Sequence, residues 1–279
     1  MSSMTNIASR LSASVEVFYG VRGTGDCDMP IPEAARRIVD AGFGVEVLIA
    51  EGWGNRELPS DETIAQVAEV GRKAKFMTAH ACINTWAPDV LRTEILIAAR
   101  MGVSRMVIHP YALGQDVEGH AHSVEDARAL CSFAMDNGVM LVLENLGKTG
   151  IESMRRSVDM IGTEPEKTGL GICIDVGHAH RSCTTDDIRP EAYLKEFRDM
   201  ILEVHVDDNL GDKDVHLPPG QGTMDWPPVV HAMRELREDA VICLEIAWPD
   251  APMQALHESR AYLLSTVNCE LSTERCSHV

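Results

Sequence analysis

Eight short, largely apolar segments recur along the chain, each rich in valine, isoleucine or leucine. They do not alternate apolar with polar residues, which is typical of strands whose two faces are both covered, as in a parallel sheet. The predicted strands are residues 14–18, 44–49, 74–80, 105–110, 139–145, 169–175, 201–206 and 240–246. The chain between successive strands is long enough to hold a helix in each case.

Segments with apolar residues at helical spacing lie between these strands. One of them has a proline in its first turn and ends at Gly42, and Ser60 and Ser123 are typical N-cap residues for two others. The predicted helices are residues 31–42, 60–73, 89–102, 123–138, 152–162, 189–199, 226–238 and 253–267. Strands and helices therefore alternate along the whole chain.

This alternation predicts an α/β fold in which a single (β/α)8 TIM barrel takes up residues 1–279. The core is expected at about residues 14–267, followed by a short polar C-terminal tail. A doubly wound open sheet is the alternative, but no glycine-rich nucleotide-binding motif follows any predicted strand.

Nearly every predicted strand ends in a side chain that can bind a metal ion. These strand-end residues are His80, His109, Glu144, Asp175, His205 and Glu245, and the loops just beyond add His178, Asp214 and His216. Imidazoles and carboxylates are costly to bury without partners. Because the carboxyl ends of all barrel strands meet at one face, we expect these side chains to form one polar centre there.

The last four strands supply the most coherent set of candidate ligands. They end in Glu144, Asp175, His205 and Glu245. Three carboxylates and one imidazole suit a hard or borderline divalent ion such as Mn²⁺, Mg²⁺, Co²⁺ or Zn²⁺. The sequence therefore predicts a divalent-metal site at the mouth of the barrel.

Acidic residues outnumber basic ones by 43 to 25, which gives a net charge of −18. Such a field repels phosphate backbones, so nucleic-acid binding is not expected. No apolar stretch approaches the roughly 18 residues of a membrane helix, and the first residues lack the apolar centre of a secretory signal. We therefore expect a cytoplasmic protein that does not associate with membranes.

The eight cysteines form no C-x-x-C pair, and several lie inside apolar segments, as Cys82 and Cys173 do. In a chain of this length, reduced core thiols are favoured over a disulfide framework. The spacing of a zinc–thiolate site is also absent from the sequence. The cysteines are thus expected to be part of the core rather than of the site.

The segments that carry the candidate ligands resemble a superfamily of divalent-metal barrels. It is the xylose isomerase-like, AP endonuclease family 2 superfamily, with its sugar phosphate isomerases and epimerases, ketose 3-epimerases, inosose dehydratases and zinc apurinic endonucleases. The resemblance is carried by GVEVLIAE, VIHP, VLENLG, CIDVGHAH, EVHVDDN, DVHLPPGQGTMDW and CLEI, which follow one another in the expected order over about residues 14 to 265. Each segment alone is weak evidence, whereas together they are specific for the superfamily.

This resemblance implies that the four strand-end residues from Glu144 to Glu245 hold a shared ion. In the epimerases two metal-bound glutamates, here Glu144 and Glu245, also form the acid–base pair. His178 would contact the substrate. The implied activity is that of a metal-dependent isomerase or epimerase acting on a sugar or a related polyhydroxylated carbonyl compound. The superfamily also implies a possible homo-oligomer.

The resemblance leaves two other activities open. The nine candidate ligands match the positions that hold three zinc ions in the apurinic endonucleases, which would suit a multinuclear zinc hydrolase acting on phosphodiesters. In that arrangement His80 and His109 would share an ion with Glu144, and a third ion would be bound by His178, Asp214 and His216. Alternatively, His80 and His109 would bind substrate hydroxyls or a ligating carboxylate. A dehydratase of a keto-inositol-type substrate is the third activity.

Several residues near the predicted mouth are candidates for substrate binding. Aromatic rings pack on sugar C–H surfaces or fill loop–helix contacts, and four follow strands closely, namely Trp53, Trp86, Tyr111 and Trp248. Arg181 could neutralise a carboxylate or phosphate or form an ordinary salt bridge. Unlike the ketose 3-epimerases, this chain has no arginine soon after His205, where Lys213 is the only cation of the segment VDDNLGDKD.

Overall fold

The computed structural model describes residues 6–18, 29–50, 57–116, 118–186 and 188–276. Eight parallel strands form a closed barrel in sequence order, and the last strand pairs with the first. The strands are β1 Leu11–Ser14, β2 Gly44–Leu48, β3 Met77–His80, β4 Arg105–Ile108, β5 Met140–Glu144, β6 Leu170–Asp175, β7 Ile201–Val206 and β8 Val241–Leu244. The predicted (β/α)8 TIM barrel is thereby confirmed.

Helices surround the barrel between successive strands. They are α1 Ile7–Arg10, α2 Ile31–Asp40, α3 Asp61–Gly71, α4 Pro88–Met101, α5 Val124–Asp136, α6 Ile151–Ile161, α7 Pro165–Thr168, α8 Val176–Asp186, α9 Pro190–Glu196, α10 Trp226–Arg234 and α11 Pro252–Cys276. Two 3₁₀ turns, Val15–Phe18 and Pro110–Leu113, follow β1 and β4. Among the described residues, no helix is both long and apolar enough to cross a membrane.

The hydrophobic core lies mainly between the outer wall of the barrel and the helices that cover it. Strands β2, β6 and β7 are buried along their whole length, which explains why they read as continuous apolar runs. The helices begin where the sequence supplies caps: the hydroxyls of Ser60 and Ser123 accept hydrogen bonds from the third residue of α3 and α5. Gly102 ends α4 in the left-handed conformation (φ 81°) that glycine adopts most easily.

The largest differences from the predicted elements concern the first strand and helices α8 and α11. The first strand begins at Leu11 rather than at residue 14, and the predicted strand 14–18 is mostly a 3₁₀ turn. Both arrangements bury a short apolar run, so periodicity cannot separate them. Helix α8 was not predicted, because the segment after Asp175 has histidines instead of apolar residues at helical spacing. Helix α11 continues to Cys276 rather than ending at residue 267.

The described cysteines agree with the expectation of reduced thiols. Cys82, Cys131, Cys173 and Cys243 are free, and all but Cys82 are fully buried. Cys27 lies outside the described residues, as do the side chains of Cys183, Cys269 and Cys276. Core thiols of this kind are inert packing groups rather than reactive ones.

Candidate metal centre

The candidate ligands of the last four strands meet at the carboxyl end of the barrel. Glu144 and Asp175 are the last residues of β5 and β6, His205 lies near the end of β7, and Glu245 directly follows β8. Each of the four offers a ligand atom within 4.8 Å of the others, and all four side chains are buried. We refer to these four residues as the central group.

His205 connects the central group to the interior of the barrel. Its Nδ1 lies 2.9 Å from Glu245 Oε2 and 3.3 Å from Glu144 Oε1, and its Nε2 lies 3.1 Å from Glu46 Oε2. If Nε2 carries the proton, it donates to Glu46 and leaves the Nδ1 lone pair facing the two carboxylates. An imidazole held in this way is oriented to bind a metal through Nδ1.

The central group fits a divalent ion. Asp175 Oδ2, His205 Nδ1 and Glu245 Oε2 are buried and have no hydrogen-bond partner among the described residues. The 2.9 Å approach of the last two atoms lacks the alignment of a hydrogen bond, although a coulombic attraction remains. Buried polar atoms are nearly always paired, and a cation bound between these three would pair all of them. Three carboxylates and one imidazole are suitable donors for Mn²⁺ or Zn²⁺.

Two outer groups flank the central one. On one side, His80 Nε2 and His109 Nε2 lie 3.1 Å and 3.2 Å from Glu144 Oε2. On the other side, His178 Nε2 lies 3.0 Å from Asp214 Oδ2, and His216 Nε2 lies 3.5 Å from Asp214 Oδ1. The structure thus brings all nine candidate ligands predicted from the sequence to one mouth of the barrel.

The histidines of the outer groups differ from His205 in their hydrogen bonding. Nδ1 of His80 contacts the carbonyl of Ala81 at 2.8 Å, and Nδ1 of His178 contacts the carbonyl of Asn145 at 2.9 Å. Their Nε2 atoms hydrogen-bond to Glu144 and Asp214 respectively. Both nitrogens of these two rings are therefore paired within the protein, whereas His205 Nδ1 in the central group has no hydrogen-bond partner among the described residues.

The charges of the site follow from this packing. Burial acts to raise the pKa of Glu144, but the charge of His205 and contacts with neighbouring imidazoles hold that pKa well below its usual value. Burial likewise opposes ionisation of Glu245, yet His205 lowers its pKa to about 2. Burial and the charge of Asp207 raise the pKa of Asp175 well above its usual value. This carboxylate therefore requires a compensating cation to ionise.

A cavity of about 380 Å³ opens above the centre. It is lined by Glu16, His80, His109, Glu144, Leu146, His178, Asp214, His216, Glu245, Ala247 and Trp248. Glu16 is a residue that the sequence analysis missed, because it lies inside the segment predicted as the first strand. Burial, followed by the charge of Glu245, raises the pKa of Glu16 to about 8. Its position in the 3₁₀ turn after β1 is what turns it towards the cavity.

The predicted substrate-binding residues do not all line the cavity above the candidate metal centre. Trp248 lines the cavity and is 38% exposed. Trp86 and Tyr111 instead line a neighbouring cavity of about 480 Å³, so the structure does not place them at the metal centre. Arg181 Nη1 lies 3.5 Å from Asp214 Oδ2, at the edge of the site. Trp53 lies outside the described residues.

The closed eight-stranded barrel, with acidic and imidazole side chains clustered at its carboxyl end, is a TIM barrel with a candidate metal site. The model of the xylose isomerase-like TIM barrel family matches residues 78–266, which is more than half of the chain. The protein belongs to this family, as its sequence motifs suggested.

Individual relatives are distant. An uncharacterised protein of Sinorhizobium fredii, y4fM, is 24% identical over 173 residues, which are 58% of this chain and 53% of the relative. The chain spans about half the length of the curated relatives that it matches. The solved structure of a D-tagatose 3-epimerase-like protein is similar to this chain, with a TM-score of 0.67 and 20% sequence identity. The alignment covers 96% of this chain and 99% of the epimerase-like chain.

The solved structure of endonuclease IV from Thermus thermophilus is also similar, with a TM-score of 0.61 and 18% sequence identity. The alignment covers 95% of this chain and 99% of the endonuclease chain. Identities this low establish a common fold and not a common reaction. The choice between proton transfer and hydrolysis therefore depends on the residues of the site itself.

Proposed function

We propose that the protein is a divalent-metal-dependent isomerase or epimerase acting on a sugar or a related polyhydroxylated carbonyl compound. One observation carries this proposal: three ligand atoms of the central group are buried and unpartnered, and the group contains two glutamates that also line the cavity. A metal site with carboxylates beside the substrate space is the arrangement that proton transfer next to a carbonyl requires.

The roles of the chain's own residues follow from their positions. A bound divalent ion would polarise a carbonyl and hydroxyl pair of the substrate. Glu144 and Glu245 extend from β5 and β8, so they approach the cavity from different parts of the barrel wall. One carboxylate would remove the carbon-bound proton, and the other would return a proton to the opposite face or to the adjacent carbon. His109 and His178 line the same cavity and would bind substrate hydroxyls.

The test of this activity is exchange of a substrate C–H hydrogen with deuterium from solvent, followed by NMR over a panel of ketoses, aldoses and keto-polyols. We expect exchange with the wild type and at least a hundredfold slower exchange with Glu144→Gln and Glu245→Gln, because an amide cannot accept the proton. Glu125→Gln, at an exposed position on α5, is the matched control and should exchange at the wild-type rate. Equal rates in all four proteins would rule out carboxylate-mediated transfer.

A zinc hydrolase is the second candidate, and a specific observation favours it. The two outer groups lie directly beside the central group, and His80 and His109 both approach Glu144. Two or three adjacent ions can clamp the attacking and leaving oxygens of a phosphoester. The net charge of −18 favours a small phosphate ester over a nucleic acid as substrate.

Metal content separates the two candidates. Elemental analysis of the purified protein, dialysed with no metal added, should give about one tightly held Mn, Co or Zn per chain for the isomerase and close to three Zn for the hydrolase. In His109→Ala, the hydrolase would lose one zinc together with phosphodiesterase activity, whereas the isomerase would keep its metal content.

We propose a small, sugar-like molecule as the partner, because the cavity of about 380 Å³ lies in the size range of small-molecule sites. A reducing, cytoplasmic location is supported by the free thiols of the four described cysteines. Subcellular fractionation with thiol trapping would test this, and recovery of these cysteines in oxidised form would contradict it.

A further inference from the structure

Asp207, the first residue after β7, is a buried carboxylate for which the proposed reaction has no role. Its side chain is 0% exposed, and neither carboxylate oxygen has a hydrogen-bond partner among the described residues. The next residue, Asp208, shows how a buried carboxylate is usually paired. Asp208 is equally buried but accepts hydrogen bonds from the amides of Asn209 and Gly220 and from Trp226 Nε1.

The Asp207 carboxylate faces the metal centre. One of its oxygens lies within 4.8 Å of ligand atoms of Asp175, Glu245 and His216. His216 Nδ1 is 4.0 Å from Asp207 Oδ2, but it lies 3.0 Å from the backbone oxygen of Glu245, to which it donates. The nearest imidazole is therefore already paired, and two of the neighbours of Asp207 are carboxylates.

The neighbouring helix is shaped to admit this carboxylate. Gly177 lies in the first turn of α8, and a Cβ at this position would lie 2.0 Å from Asp207 Oδ1 and 2.6 Å from its Cγ. Only glycine leaves room for Asp207 in its observed conformation. A carboxylate that is enclosed, unpaired and next to two others is costly to ionise, and a bound cation would offset that cost.

We propose that Asp207 is a metal ligand and that it forms, with Asp175 and Glu245, a second divalent-cation position beside the central one. This position differs from the outer group of His80 and His109, and it adjoins the group of His178 and Asp214 through His216, which lies within 4.8 Å of Asp207. Its three carboxylates are hard oxygen donors that suit Mn²⁺ or Mg²⁺. The inference rests on the proposed metal centre and adds a ligand to it.

The test compares Mn²⁺ binding by the wild type, Asp207→Asn and Asp212→Asn. Asp212 is an exposed acid in the same loop, so its substitution removes the same charge without touching the centre. Metal-free proteins are titrated with Mn²⁺ and analysed by elemental analysis after dialysis. We expect Asp207→Asn to lose one bound ion per chain or to bind it at least tenfold more weakly, and Asp212→Asn to match the wild type within twofold.

Thermal unfolding distinguishes a ligand from a residue that only stabilises the fold. In the metal-free protein, Asp207→Asn should be at least as stable as the wild type, since it removes an uncompensated charge. Its Mn²⁺-induced rise in Tm should nevertheless be smaller. A purely structural role for Asp207 would instead lower the metal-free Tm, and that result would overturn the inference.

The outcome for the wild type separates the two proposals. Undiminished Mn²⁺ content and affinity in Asp207→Asn, with a wild type that binds metal, would overturn the role of Asp207 alone. A wild type that binds no divalent ion would overturn the proposed metal-dependent function as well. Gly177→Ala, whose Cβ would displace the Asp207 carboxylate, should reproduce the loss of one ion.

Discussion

At the scale of single residues, the orientation of His205 depends on Glu46. Both side chains are completely buried, and His205 Nε2 lies 3.1 Å from Glu46 Oε2 inside the barrel. Glu46 thus forms its hydrogen bond within the barrel. A carboxylate behind a ligating imidazole fixes both its tautomer and the direction of its lone pair.

Replacement of Glu46 should therefore change metal affinity. In Glu46→Leu, His205 loses its acceptor, and we expect the affinity of the central group to fall about 10–100-fold. In Glu46→Gln the side-chain carbonyl can still accept from Nε2, so affinity should stay within a few-fold of the wild type. Competition with a chelator of known affinity measures both. Equal losses in the two variants would show that the charge of Glu46, and not its hydrogen bond, matters.

The buried cysteines should be unreactive in the folded protein. Burial raises the pKa of the Cys131 thiol to about 12, and it also raises those of Cys173 and Cys243 well above the usual value. Because the thiolate is the reactive form, iodoacetamide at pH 8 should leave all three unmodified in the native state and label them after unfolding. Peptide mass spectrometry reads out each site. Rapid native labelling of Cys131 would contradict this packing.

At the scale of elements, the loop between β7 and α10 supplies two of the candidate ligands, Asp214 and His216. Asp208 holds this loop in place: it accepts hydrogen bonds from the amides of Gly220 and Met224 and from Trp226 Nε1 in α10. Asp208 and Leu217 also pair through their backbones at 2.7 Å and 2.8 Å. These hydrogen bonds fix the position of the loop that carries Asp214 and His216.

Asp208→Ala should destabilise the protein without removing a metal ligand. Loss of several hydrogen bonds to one charged acceptor, with a buried indole N–H left unpaired, should lower the free energy of unfolding by about 3 kcal/mol. Urea denaturation measures this loss. Metal bound by the central group should remain, because Asp208 is not one of its four residues and the hydrogen bonds described above join Asp208 to the loop and to α10. Loss of that metal would show that the loop and the central group are coupled.

Some elements could be predicted from the sequence better than others, depending on whether their apolar pattern fits one structure or several. Strands such as β6 and β7 are buried on both faces, so their composition alone marks them, and their last residues identified Asp175 and His205 as candidate ligands. The side chain of Glu16 could not be placed, because an apolar run of five residues fits a strand or a 3₁₀ turn equally well. Asp207 could not be identified from the sequence for another reason. Whether a carboxylate has hydrogen-bond partners depends on which residues surround it in the folded protein.

At the scale of the whole molecule, the barrel concentrates negative charge at one end. The closed sheet brings together carboxylates from β5, β6 and β8 and from the loop after β7. The sequence predicted this convergence, since parallel strands in a barrel share one carboxyl-end face. It could not predict which ligand atoms would lack partners. The outer histidines pair with backbone carbonyls whose positions depend on the folded loops.

Because of this concentration of carboxylates, we expect overall stability to depend on bound metal. Without a cation, burial beside Asp207 and Glu245 disfavours the ionised form of Asp175, whereas a bound divalent ion would stabilise all three carboxylates. An ion present at 100 times its dissociation constant stabilises the folded state by about 2.7 kcal/mol, which for a domain of this size raises Tm by about 5–10 °C. Removal of metal with EDTA should lower Tm by that amount, and added Mn²⁺ or Zn²⁺ should restore it. Asp175→Asn should respond much less to either treatment, while Asp212→Asn should behave as the wild type. A wild-type Tm that is indifferent to chelation and to metal would mean that the buried carboxylates are compensated by their histidines alone.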